Sequence, residues 1–199
     1  MRSKRVLIAC EFSGVVREAF KAKGCDAWSC DLLPTEIPGQ HHQGNVLDIL
    51  YGNWDLLIAH PPCTYLCSSG LHWNKRRPER ELLTNAAVDF VRTLLTSPIK
   101  HIALENPIGR ISTAIRQPDQ RIQPWMFGHP ESKNTCLWLK NLPKLIPTDI
   151  LELPASGVWK NQTPSGQNKL GPSEDRWKLR SITYSVIAQA MADQCSSVI

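Results

Sequence analysis

No apolar stretch of this 199-residue chain approaches the roughly 20 residues that a bilayer-spanning helix requires, so no membrane segment is expected. The opening MRSKRVLIAC is basic and then only briefly apolar, too short for a secretory signal. A disulfide framework is also missing. The seven cysteines are odd in number and scattered over apparent strand ends and helices, the pattern of reduced thiols in a cytoplasmic setting. There is no internal repeat and no low-complexity tract. Glycine-rich phosphate loops are absent: EFSGVVREAF contains one glycine, which excludes both a Walker loop and a full dinucleotide fingerprint. Metal is not expected either. A zinc-deaminase site needs His-x-Glu upstream of Pro-Cys-x-x-Cys, whereas here Cys63 and Cys67 stand four apart and Glu105 lies downstream.

What is present fits one domain spanning residues 1–199, with 42% hydrophobic and 21% charged residues. Fifteen prolines predict a loop-rich periphery. The net charge of +5 suits a polyanionic partner without requiring one. Basic residues gather in WNKRRPER (73–80) and in the stretch 160–180. Trp73, Trp159 and Trp177 lie beside those basic residues and are candidates for stacking on bases; Trp54, Trp125 and Trp138 read as core.

Hydrophobic periodicity predicts strands at 6–9, 26–30, 54–59, 101–105 and 134–139. Helices are predicted after Gly14, over 79–96 and over 183–194, with 140–180 as an irregular loop excursion. Strands alternating with helices indicate an α/β fold, a mostly parallel Rossmann-like sheet with helices on both faces. In such sheets ligands bind beyond the carboxyl ends of the strands. The residues at those ends are Glu11 to Gly14, Asp31, His60 to Cys63, and Glu105–Asn106.

Two of these groups carry chemistry. The loop Phe12–Ser13–Gly14 leads from the first strand into a helix, where backbone N–H groups are placed to meet an anionic group. Asp31, at the end of the second strand, is either a turn residue or an acceptor for ribose hydroxyls. In AHPPCTYLCSSG, two prolines follow a strand and force the chain outward immediately before Cys63. Cys63 is either a small buried hydrophobe or a presented sulfur. Cys10, Cys25, Cys30, Cys136 and Cys195 read as packed thiols.

DLLIAHPPC and IALENP, at the ends of successive strands, resemble the Pro-Pro-Cys and Glu-Asn-Val motifs of the cytosine-C5 DNA methyltransferases. EFSG resembles that family's Phe-x-Gly cofactor loop and Asp31 its ribose-binding acid. GNVLDI resembles its Gly-Asp-Val/Ile segment, with Asn45 in place of aspartate, and His60 stands where the motif has a small residue. FGHPESKNTCLWL resembles its Gln-x-Arg-x-Arg strand, with Glu131, Lys133 and Thr135 at the three positions. RSITYSVIAQAMA resembles its closing helix. The large target-recognition region of the family is reduced here to about forty irregular residues, 140–180.

The resemblance implies a methyltransferase using S-adenosyl-L-methionine to modify C5 of cytosine in DNA, as a monomer in a bacterial or phage-infected host cytosol. It implies Cys63 as the nucleophile toward C6, Glu105 on the base's N3 and amino edge, and Lys133 as a cationic catalytic partner. The cofactor would be held by Phe12, Ser13, Gly14, Asp31, Leu32, Asn45, Val46, Pro61, Leu83 and Ser181. In duplex DNA the target base would have to leave the stack. A free pyrimidine nucleotide or single-stranded nucleic acid is the alternative substrate, and a non-catalytic nucleic-acid or protein-binding module the alternative role.

Overall fold

The computed structural model describes residues 2–199. Strand β1 (Arg5–Ala9) is aliphatic from Val6 onward, because it lies inside the sheet and is covered on both faces. Its side chains alternate: Val6 and Ile8 enter one core layer, Leu7 and Ala9 the other. The strands β2 (Asp26–Asp31), β3 (His41–Gln43), β4 (Leu56–Ala59), β5 (His101–Asn106), β6 (Gln120–Ile122) and β7 (Thr135–Lys140) complete a seven-stranded sheet ordered β3-β2-β1-β4-β5-β7-β6. The pairs from β3 to β5 are parallel, while β7 runs antiparallel to both β5 and β6. This is the expected mostly parallel, Rossmann-like α/β architecture.

One face carries α1 (Val15–Lys21) and, near the chain's end, α6 (Ser185–Ser196). Val16 and Phe20 meet Ile187 and Met191 there. The other face is covered by α3 (Glu79–Thr96), whose Val88, Val91 and Leu94 point inward at helical spacing. The bounds of α3 coincide with the predicted 79–96, and α6 starts two residues later than expected. Three short helices were not anticipated: α2 (Ser68–Leu71), α4 (Arg110–Ala114) and α5 (Arg176–Ser181). Nor were β3 and β6, at three residues each.

The excursion at 140–180 is irregular up to α5, a helix where the sequence predicts loop, and it is anchored. The Gln120 side chain bonds both backbone groups of Leu145, at 2.8 and 2.7 Å. Asn161 and Ser132 exchange two bonds, at 2.8 and 2.9 Å. Trp159 is buried and stacks on Trp125 with the rings 5.8 Å apart. Its expected place among the base-stacking candidates is therefore corrected: its face is already covered by another indole. Trp73 and Trp177 remain exposed. Among the described residues no helix is long and apolar enough to cross a membrane.

Candidate active site

Parallel pairing in register sets Ala9 beside Ala59 and Ala59 beside Leu104. The residues after these positions therefore emerge together along one edge of the sheet: Glu11, His60 to Cys63, and Glu105–Asn106. The buried Asn106 donates from Nδ2 to the Pro61 carbonyl at 2.7 Å, tying the β4 and β5 strand ends to one another.

The thiol-bearing segment is one turn of helix, with Leu66 and Cys67 N–H both donating to the Cys63 carbonyl at 3.0 and 2.9 Å. It is fastened to the segment after β5. Arg110 N–H donates to the Leu66 carbonyl at 2.7 Å, and Ser68 N–H to the Ile108 carbonyl at 3.1 Å. Between those bonds sits Gly109, whose missing side chain leaves room for the Leu66 carbonyl.

Cys63 and Cys67 share a hydrogen bond and titrate as a pair. Cys67 is the lowered member, pulled down to about 5 by the Cys63 thiol, the Ser69 hydroxyl, the Gly70 N–H and the charge of Arg180, against burial. The Cys63 thiol is pushed up by that same bond, by burial and by the negative charges of Cys67 and Glu105. The charge of Arg180 acts the other way and lowers it, while Lys133 is not among the groups that act on this thiol.

Glu105 is half-buried, and loss of water alone would push its carboxyl range up. The His60 hydrogen bond, the charge of Lys133 and the Thr135 hydroxyl outweigh burial and hold it below the usual carboxylate range. His60 Nδ1 lies 3.2 Å from Glu105 Oε2. Lys133 faces this carboxylate while its Nζ donates to the carbonyls of Arg180 and Ile182, at 2.9 and 3.3 Å. Tyr184, whose hydroxyl donates to Glu131 at 2.6 Å, closes the same side. The space left between Glu105, Lys133, Thr135, Thr183, Tyr184 and Ile187 is about 10 Å³, room for about one water. A larger open cleft of about 420 Å³ lies among Arg116, Asp119 and Lys140 at the opposite end of β5 and β7, where Arg116 and Asp119 pair with each other.

The cofactor-loop residues gather at the ends of β1 and β2. The expectation that the first turn of α1 offers free N–H groups to an anion is corrected. Buried Glu11 takes the Val16 and Arg17 N–H groups at 2.6 and 3.2 Å, and the Ser13 hydroxyl takes Val15 N–H at 3.3 Å. A carboxylate already occupies that position. Gly14 adopts φ 78°, the left-handed region, and a side chain there would come within 2.7 Å of the Arg17 guanidinium.

Phe12 is buried beneath Trp177 and Lys178 of α5. Asp31 caps its own turn, accepting from Leu33 N–H at 3.0 Å, and Leu32 beside it is 73% exposed. Asn45 caps the turn over Val46–Asp48 by accepting from Leu47 N–H at 3.0 Å, and Val46 is core. Pro61 is buried, Leu83 is half-exposed on α3, and exposed Ser181 closes α5 by donating to the Lys178 carbonyl at 2.7 Å.

Sequence reasoning missed Arg17 and underrated His60. Arg17 is fully buried and donates to Ser29, Thr35 and Ile37, pinning the segment after β2. A lone arginine on the apolar side of α1 was the available signal. For His60 it was a basic residue where the resembling motif is small.

No known protein family's sequence profile matches the chain, and no curated protein matches it. Among solved structures it is similar to WbdD, described as a bifunctional kinase-methyltransferase. One WbdD structure, bound to the kinase inhibitor LY294002, matches at 14% identity with a TM-score of 0.44 over 73% of this chain and 38% of that one. Another matches at 13% identity with a TM-score of 0.41 over 73% and 36%. The chain thus spans little more than a third of the proteins it is similar to.

Proposed function

We propose that this chain is an S-adenosyl-L-methionine-dependent methyltransferase that modifies C5 of cytosine in DNA through a covalent bond from Cys63. The observation that carries this reading is the Asn106–Pro61 bond. It locks together two strand-end loops that present a thiol and an ionised carboxylate to one crevice.

Cytosine C5 is a poor nucleophile until something adds to C6. The Cys63 thiol gives up its proton to solvent as its sulfur attacks C6. N3 takes up a proton from solvent as negative charge spreads over the ring. The Glu105 carboxylate accepts from the protonated N3 and the amino group, favouring the adduct over free base. Once C5 is methylated, loss of the C5 proton and of N3–H expels the Cys63 sulfur.

The chemistry of the donor set fits the cofactor. Asp31 offers a carboxylate to ribose hydroxyls, and the exposed Leu32 beside it offers apolar surface to an adenine. That cofactor supplies an electrophilic methyl group when bound.

The stretch 140–180 packs onto its own domain, with Trp159 and Leu145 buried. That supports a second reading of the substrate, in which the base arrives on a single strand or as a nucleotide. In either case α5 and its flanks must move, since the present crevice holds no pyrimidine.

Mass spectrometry of the protein incubated with cofactor and 5-fluorocytosine DNA, in single- and double-stranded form, tests the reading. A trapped adduct mapping to Cys63 is expected, because fluorine cannot leave C5 as a proton. Calorimetry should show cofactor binding that Asp31→Ala weakens. An adduct on another cysteine, or methylation undiminished in Cys63→Ser, would refute the mechanism.

A further inference from the structure

His60 is the buried group that this chemistry does not otherwise use. It follows Ala59 at the end of β4, and its side chain lies against Glu105 near the end of β5, with Glu11 after β1 close enough to interact. Its side chain is 7% exposed and that of Glu105 17%. Only the Nδ1 contact with Glu105 Oε2 is made. Nε2 is buried and has no hydrogen-bond partner.

Both features cost stability. A carboxylate held largely out of water rarely outperforms an apolar group of equal size, and a buried nitrogen without a partner loses its hydration outright. Nothing in the packing demands either, since the flanking Ala59 and Pro61 are apolar and buried. Such departures from a well-satisfied core concentrate at functional sites.

We infer that His60 is a positioning residue for Glu105: its Nδ1–H holds one carboxylate oxygen, so that the acid meets an incoming base in a single orientation. This inference rests on the proposed cytosine chemistry for its function, though not for its geometry. Glu105 accepts from Nδ1, which assigns the ring proton to that nitrogen. The other groups facing Glu105 are Lys133 ahead of β7, the Thr135 hydroxyl and Cys63 across the crevice, with Glu11 beyond His60. Lys133 is tethered to two backbone carbonyls. Ahead of the Thr135 hydroxyl, His60 thus supplies the larger hydrogen bond that favours the charged acid, and its ring orients it.

The test compares wild type with His60→Leu, which removes the donor, and His60→Asn, whose amide nitrogen can stand near the position of Nδ1. Carbon-13 NMR titration of the glutamate carboxylates should show Glu105 ionising at higher pH in His60→Leu, with His60→Asn in between. With loss of the hydrogen bond, the acid limb of the pH–rate profile moves upward for the same reason. At neutral pH kcat should fall about 10²-fold, the lower range for a positioned acid–base group, with KM within about twofold. His60→Asn should recover much of that loss.

An unshifted Glu105 titration in His60→Leu overturns the inference, as does an equal loss of kcat in both variants. If His60→Leu fails to fold, His60→Asn alone decides: wild-type Glu105 titration together with kcat below a tenth of wild type overturns the donor role. A wild-type protein that forms no product with any cytosine substrate sinks the proposed reaction, while the titration still decides whether His60 governs Glu105.

Discussion

Gly109→Ala should dislodge the thiol-bearing turn without touching a titratable group. Gly109 has φ 168°, extended backbone that alanine adopts freely, so the effect arises from contact alone. A Cβ there would lie 2.0 Å from the Leu66 carbonyl oxygen and 2.9 Å from Cys67 Cα. Even a close carbon–oxygen contact is about 3.3 Å, so backbone must give by about 1.3 Å. Both neighbours are main chain, and no rotamer change can absorb this. The shift strains the Arg110–Leu66 and Ser68–Ile108 bonds, and weakening both by about half costs about 1 kcal/mol in all. Overpacking adds about 1–3 kcal/mol. A combined loss of about 2–4 kcal/mol leaves a typical domain folded and lowers Tm by roughly 5–15 °C. Displacement of Cys63 by about 1 Å should slow adduct formation about 10²-fold, while cofactor affinity, set at β1 and β2, stays within about twofold. Differential scanning calorimetry, calorimetric titration and the fluorocytosine trap measure the three quantities. A variant that melts within one or two degrees of wild type and traps at the wild-type rate would refute the reasoning.

Two further expectations concern the thiols and the cofactor loop. Brief alkylation with iodoacetamide near pH 6 should label Cys67 first, because its thiolate persists down to about 5; peptide mapping that finds Cys63 labelled first would reverse the assignment within the pair. Arg17→Met should cost about 2–4 kcal/mol in urea unfolding, since the Ser29, Thr35 and Ile37 acceptors lose a fully buried donor. A change below 0.5 kcal/mol, a figure within the usual range for surface substitutions, would show that the segment after β2 holds itself in place.

Much of this molecule was legible in the chain itself. The aliphatic runs at Val6–Ala9 and Leu56–Ala59 can be buried only as central parallel strands, and the spacing of Val88, Val91 and Leu94 admits only a helix with one apolar side. The prolines at 61 and 62 forced the turn that brings out Cys63. Local chemistry settles such matters, because each depends on residues a few positions apart.

Short elements escaped. β3 and β6 are three residues each, and their existence depends on a neighbouring strand offering free backbone groups. The antiparallel course of β7 is likewise a property of its partners. Pairings across the sheet were beyond the sequence altogether: His60 with Glu105 across 45 positions, Lys133 with the carbonyls before α6 across almost 50, and Glu11 filling the helix start reserved for a ligand. Even the Cys63–Cys67 pair, close in sequence, needed the local helical turn to set one sulfur against the other. Ionisation depends on distance and burial, and only the folded chain supplies either.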